Sequence, residues 1–353
     1  MKKTSMLFLL LIIASSLTAQ TVGIITYVEG EAYVSRADGT EEKADFGLFL
    51  EEYDVISTGE DGYLIWEFTE ESGFSGEIQL EPSTISQIVI DKEDNKELAS
   101  MELLSGEIFL KINKLAGSQD LSVHTQSAAM GVRGTQFTVS TSPAGDILVV
   151  CTEGKVECVD DEGEKAFAEP GKAVEKRLEE RLRTTFFKLA DAKRFKEEWM
   201  TGRMEAFKAN AAKAFGHYAK LYRERKKAFL EAYKELVKKH DIIEKWAREY
   251  KQGTIKGGGV ETLKEKKELV PVILKLKKEM FLFSRVYYRV LELRNYYYKG
   301  VKVGVIEGGE RAENFIKEVE KDSKILKENL KYVHRAMFLF KQKGAGFLGE
   351  SLF

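Results

Sequence analysis

The hydrophobic period of this chain changes once, near residue 175, and that change fixes what each part can fold into. Before it, apolar residues recur at every second position, as in Leu64, Trp66 and Phe68, or Ile88 and Ile90. After it they recur every seven. Period two lines one face of a strand, whereas a seven-residue period lines one seam of a helix. Charge changes sign at the same place. Residues 20–174 hold 10 basic and 31 acidic residues, and residues 175–353 hold 43 basic and 26 acidic ones. The formal net charge of −2 therefore conceals an acidic part and a basic part. A chain of 353 residues has room for about two domains of ~150 residues, which suits that division.

The first residues read as an address. Lys2 and Lys3 precede an apolar run from Met6 to Ala14, and small residues lead to Ala19. This layout predicts a Sec-type signal peptide over 1–19, cut before Gln20. The run is shorter than the ~20 residues needed to span a bilayer, so no span is expected after cleavage. No cysteine stands near the cut, so the chain is not expected to be a lipoprotein. The expected location is the periplasm, or export from a bacterium more generally.

Residues 20–174 predict an all-β domain. Short alternating runs are separated by turn residues, such as Gly59-Glu60-Asp61-Gly62 and Pro143-Ala144-Gly145. The clearest hairpin signal spans 147–159, with Glu153-Gly154 in the turn. Pairing of that kind puts Cys151 and Cys158 on one face as diagonal neighbours, farther apart than the ~3.8 Å between Cβ atoms that a disulfide prefers. Export permits oxidation. The two cysteines can form a disulfide or serve as two small buried hydrophobes.

The stretch VHTQSAAMGVRGTQFTVS (123–140) resembles the signature of FecR domains, in which Thr-x-x-Ala leads into Val-Arg-Gly-Thr-x-Phe-x-Val. Here those positions are Thr125, Ala128, Val132, Arg133, Gly134, Thr135, Phe137 and Val139. Segments 22–36, 53–68, 80–88 and 103–112 are similar to the family's earlier elements in order, and 149–159, with Glu153 and Gly154, to its closing Glu-Gly hairpin. Tyr53 departs from the pattern, because the family usually has Gly before Asp54. The resemblance spans roughly 22–174. It implies a periplasmic β-domain for protein interaction or sensing. The sigma-factor relay of the best-known members uses a cytoplasmic segment and a membrane span that this sequence does not show. On chemical grounds Gly134 supplies backbone freedom and Thr135 a hydroxyl for nearby backbone groups. Arg133 can tie strands together through a local carboxylate or meet a carboxylate of a partner.

The second part predicts helices. One register runs Phe215, Tyr222, Phe229, Leu236, Ile243 and Tyr250; a second runs Leu269, Leu276, Phe283, Val290 and Tyr297; a third runs Ala312, Val319, Leu326, Val333 and Phe340. Glycine-rich breaks fall at 253–259 and 300–309. The expected architecture is an antiparallel three-helix bundle with coiled-coil-like packing over 215–343. A helical connector is expected over 175–214, either continuous with the first bundle helix or bending near Gly202 or Gly216, and a tail over 344–353. The same stripes could also seal against another chain as a homo-oligomer. Tyr287, Tyr288, Tyr296, Tyr297 and Tyr298 beside Arg289, Arg294 and Lys299 suit a bundle core and its surface, though such rings can also stack on sugars or bases.

No nucleophile elbow, phosphate loop, zinc-protease helix or dinucleotide glycine run occurs, and four scattered histidines with two cysteines do not suggest a metal centre. No catalytic residue, cofactor or metal is expected. The sequence therefore points to an exported, non-enzymatic protein-interaction, sensing or scaffolding module with an envelope or periplasmic protein as partner. The alternative is a basic helical part that binds anionic cell-wall polymer or lipid headgroups. Nucleic acid is not expected as a partner of an exported chain. Opposite charge on the two parts also predicts that they dock.

Overall fold

The computed structural model describes residues 21–343 apart from 38, 39, 94, 95, 114–118, 133, 256 and 258, so the expected signal peptide and tail lie outside the described residues. The first part is a sandwich of two nine-stranded sheets. One sheet, called A here, runs in spatial order β18 (Arg183–Phe186), β17 (Lys172–Lys176), β14 (Ile147–Glu153), β13 (Gln136–Thr141), β10 (Glu107–Ile112), β7 (Gly76–Leu80), β6 (Tyr63–Phe68), β1 (Thr21–Glu29) and β4 (Phe49–Glu51). The other, sheet B, runs β16 (Lys165–Ala168), β15 (Val156–Asp160), β12 (Ala128–Val132), β11 (Gln119–His124), β9 (Lys96–Ser105), β8 (Ile85–Glu93), β5 (Val55–Thr58), β2 (Ala32–Ser35) and β3 (Glu41–Lys43). All pairings are antiparallel except β9 with β11.

Alternation sets the two faces. Leu64, Trp66, Ile78, Leu110, Phe137 and Val149 from sheet A meet Val34, Ile88, Met101, Val123, Met130 and Cys158 from sheet B in one dry core. Their neighbours in sequence face outward, and these outward rows decide the rest of the architecture.

Five helices follow: α1 (Ala192–Ala209), α2 (Ala211–Val237), α3 (His240–Lys251), α4 (Val260–Tyr298) and α5 (Ala312–Gln342). The three registers are buried within one chain. Phe229 stacks on Phe283 with centroids 4.9 Å apart, and Tyr222 meets Phe315 edge-on at 5.9 Å. α4 passes through Pro271 without a break. Tyr287 is buried with its hydroxyl bonded to Ser323, Tyr288, Tyr296 and Tyr297 are partly buried, and only Tyr298 of that group is exposed. The aromatic set is thus mainly core, as the sequence suggested.

Three expectations need correction. Strands continue past 174: β17 and β18 occupy part of the expected helical connector, where Arg183 donates two hydrogen bonds to Glu175 at 2.8 and 3.0 Å across their pairing. A Lys/Arg/Glu-rich composition suggested helix, but an unpaired sheet edge overrides that weak preference. The connector then breaks at Asn210, between α1 and α2, and the first bundle helix breaks again at Lys238 and Lys239. Finally, Glu153-Gly154 does not close a hairpin. β14 pairs with β13 and β17 in sheet A, and β15 pairs with β12 and β16 in sheet B. The chain crosses between the sheets there, so both cysteines point into the core from opposite sides.

Candidate interaction surface

The motif residues converge although they come from different sheets. Val132 and Phe137 are core residues. Gly134 (φ 61°) and Gly154 (φ 84°) both take left-handed backbone that suits glycine. A Cβ on Gly154 would lie 2.7 Å from Thr135 Cγ2 and 2.9 Å from the Gly134 carbonyl oxygen. The two turns therefore fit only with glycine at 154. Gln136 Nε2 donates to Glu153 Oε2 at 2.6 Å, which pins the same crossing from outside. The Thr135 hydroxyl is buried but finds no hydrogen-bond partner among the described residues, contrary to the role expected of it. Arg133 lies outside the described residues. The described motif residues hold the two sheets together at this crossing.

Both thiols are free and buried. Burial pushes the Cys151 thiol up to about 11 and the Cys158 thiol up to about 12. Both should therefore resist maleimide in the native protein and react together once denaturant opens the sandwich. Labelling of either thiol in native protein, followed by mass spectrometry, would refute that burial.

The outward row of sheet B is where the helices dock. Glu102 of β9 lies between core residues Met101 and Leu103 and points the other way, toward α4. Arg285 grips it with Nε at 2.5 Å and Nη2 at 2.8 Å. One turn on, the buried Arg289 donates to the Ser142 carbonyl at 2.8 Å and pairs with Glu292. Tyr218 of α2 donates to Gln126, and a Cβ on Gly145 would collide with that Tyr218 hydroxyl. From α4 and α5, Lys299 pairs with Glu60, Lys341 with Glu52, and Lys327 with Glu41 at 3.7 Å. The expected docking of basic on acidic part is present.

Tyr53 explains how the departure from glycine is tolerated. It adopts φ 70°, a strained conformation for a bulky residue. Its backbone is held on both sides: Tyr53 N donates to the Ile88 carbonyl at 3.0 Å, and Gln87 Nε2 donates to the Tyr53 carbonyl at 2.9 Å. Its ring enters the helical core and stacks on His334 of α5, with centroids 6.1 Å apart at 21°. The strain is over-determined by helix packing that a glycine could not provide.

Sheet A is treated differently. α1 covers part of its outer face, where Phe195 and Trp199 pack on Leu148, Val150 and Ala173, and Lys196 pairs with Glu107 at 2.5 Å. None of the described α-helices lies on strands β7, β6, β1 and β4. Their outward row includes Tyr27 (46 % exposed), Phe49 (54 % exposed), Tyr63 and Ile65. Tyr27 and Tyr63 meet edge-on at 6.0 Å. Glu29, Glu67 and Glu77 stand among them and form no ion pair among the described residues, and Lys111 opposite Glu77 is the one lysine of that row. This is an aromatic and acidic face on which no described α-helix lies.

Residues 54–157 match the family model described as FecR protein. This segment is a FecR domain. No curated protein matches the chain. Two crystal structures of a proposed anti-sigma factor from Parabacteroides distasonis are similar in part. One has 16 % identity, a TM-score of 0.32, and covers 40 % of this chain and 63 % of that one. The other has 15 % identity, a TM-score of 0.28, and covers 39 % of this chain and 62 % of that one. The chain thus spans less than two thirds of those proteins' length.

Within the FecR domain, the described motif residues Val132, Gly134, Phe137 and Gly154 belong to the core and its turns. Asp54 and Thr58 behave likewise: Arg36 Nη1 donates to Asp54 at 2.5 Å, and the Thr58 hydroxyl donates to the Glu81 carbonyl at 2.7 Å. Of the residues that make surfaces, the sequence marks Tyr53 alone, as a departure from the family pattern, and does not single out Glu102, Arg285, His334, Tyr27 or Phe49. Outward alternation beside a core row was the available signal for Glu102 and Tyr27. Nothing local marks Arg285 among so many cations. Among the described residues no cluster of three or more His, Cys, Asp or Glu is placed to hold a metal ion. No described helix is long and apolar enough to cross a membrane.

Proposed function

We propose that this protein is an exported, non-enzymatic envelope module in which the FecR domain engages a protein partner through the bare half of sheet A. The observation that carries this reading is the contrast between the two faces of one sandwich. Sheet B meets cationic helices of the same chain through Glu102 of β9, with Glu52 and Glu60 of the turns on either side of β5. The bare face has the same acidic outward chemistry plus exposed aromatic rings, the residue types that anchor interfaces. The fitting partner is a protein surface with basic residues among apolar ones. The FecR domain, in a family of sensing and signalling proteins, supports an interaction role over catalysis, and the helical part acts as its built-in support.

A photo-crosslinking residue at Phe49 or Tyr27, introduced in cells, should give a discrete protein adduct. Glu29→Lys with Glu67→Lys should remove it. Adducts no stronger than those from exposed Phe186, on the opposite edge strand of sheet A, would reject the reading.

A further inference from the structure

The outward stripe of α4 has two halves with different fates. The helix turns its core positions, Leu269, Ile273, Leu276, Met280, Phe283 and Val290, into the bundle along its whole length. The face opposite that seam carries, in the C-terminal half, Arg285 on Glu102 of sheet B and Arg289 on the Ser142 carbonyl, and Lys299 just past the helix end pairs with Glu60. By helical periodicity the same face in the N-terminal half carries Val260, Leu263, Lys264, Lys267, Leu274, Lys275 and Lys278. All of these are exposed, with Val260 at 73 % and Leu274 at 38 %. The stripe from 260 to 278 is about 27 Å long at 1.5 Å per residue.

Its charge is only partly balanced from the side, where Glu235 of α2 lies near enough to feel Lys275. Glu261 and Glu265 are held by Lys245 of α3 at 2.6 and 2.9 Å, and Glu268 by Lys239 at 2.9 Å. Glu235 on the neighbouring α2 pairs with Lys238 at 2.7 Å. Lys264, Lys267, Lys275 and Lys278 make no ion pair among the described residues. One half of a single helix face thus meets the FecR domain through cations, and the other half offers cations that make no ion pair among the described residues. The bare half of sheet A offers the complement: Glu29, Glu67 and Glu77 among Tyr27, Phe49 and Ile65.

We propose that the exposed N-terminal half of α4 docks on the bare face of sheet A in a second copy of this chain. This rests on the reading of that sheet face as an interaction surface and names its partner. Continuity with the internal interface, together with complementary charge, selects a second copy over a lipid surface. The stripe faces the side on which the FecR domain already lies under its C-terminal half, so a flat bilayer would have to clear that domain. Two different patches meet in such a contact, so it is heterologous and propagates head to tail unless it closes into a ring.

Two charge-reversed forms of the full chain test it. Lys264→Glu with Lys275→Glu spoils the stripe, and Glu29→Lys with Glu67→Lys spoils the sheet face. All four residues are exposed, and circular dichroism checks that each variant folds. Wild-type protein should show a mass in analytical ultracentrifugation that rises with concentration at low salt and falls when salt is added. Each variant alone should associate at least about tenfold more weakly. Mixed one to one, each supplies the face the other lacks, and the two reversed faces also attract, so association should return, to a dimer at least. Wild type that stays monomeric, or a mixture that gives no dimer, would overturn the proposal. So would phosphatidylglycerol vesicles that bind wild type and lose it with the Lys264 and Lys275 changes while no self-association occurs. If self-association fails but Phe49 still crosslinks to a different protein, the proposed function stands without this partner.

Discussion

Glu102→Ala should destabilise the docked protein by about 3–5 kcal/mol, the range for stranding one member of a buried ion pair. Glu102 is 2 % exposed and accepts two hydrogen bonds from Arg285, whose side chain is largely covered. Removing the carboxylate leaves a largely covered guanidinium without its paired acceptor. The loss should fall on docking first, so urea unfolding followed by tryptophan fluorescence should broaden or split as the FecR domain and bundle uncouple. Glu102→Leu with Arg285→Met should recover most of the loss, because an apolar pair strands no charge. A loss under about 1 kcal/mol for Glu102→Ala would show that this pair does not hold the interface.

The second large effect is a response to acid centred on His334. Burial pushes this imidazole down to about 4 from an ordinary 6.5. It lies against the Tyr53 ring, and its Nε2 is 3.4 Å from Gln87 Nε2, which suits a neutral ring accepting there. Unfolded chain binds the proton below pH 6.5, whereas native protein binds it only below about 4. Stability is therefore full above pH 6.5 and falls as pH drops from 6.5 to 4, by about 3 kcal/mol at 1.36 kcal/mol per unit. Carboxylates titrate in the same window, so the measurement is a difference. Urea midpoints at pH 7, 5 and 4 should fall more for wild type than for His334→Phe, which keeps a stacked ring and cannot titrate. Parallel curves for the two proteins would remove His334 as the cause.

These two effects sit at the junction between the halves, which the sequence marked by charge and period without resolving. Leu64, Trp66 and Phe68 declared a strand face because strand geometry is set by nearest neighbours, and each does lie in the sandwich core. Phe215, Tyr222 and Phe229 declared a helix seam for the same local reason. The Glu-Gly turn misled because a two-residue turn looks alike whether its strands stay in one sheet or divide between two. That choice depends on where β12 and β17 lie. Lys176 and Arg183 misled because sheet-edge pairing outweighs a preference worth only tenths of a kcal/mol per residue.

The sequence by itself determined the two element types, the place where one yields to the other, the opposed charge of the two parts and the glycines at 134 and 154. All of these rest on interactions between residues close along the chain, or on a sum over many residues. The tertiary structure alone decided that Glu102 meets Arg285, that Tyr53 bears a left-handed backbone against His334, and that α4 covers sheet B while half of sheet A stays bare. Those pairings join residues about 180 to 280 positions apart, and their energy comes from burial and charge neutralisation that exist only once both surfaces have formed.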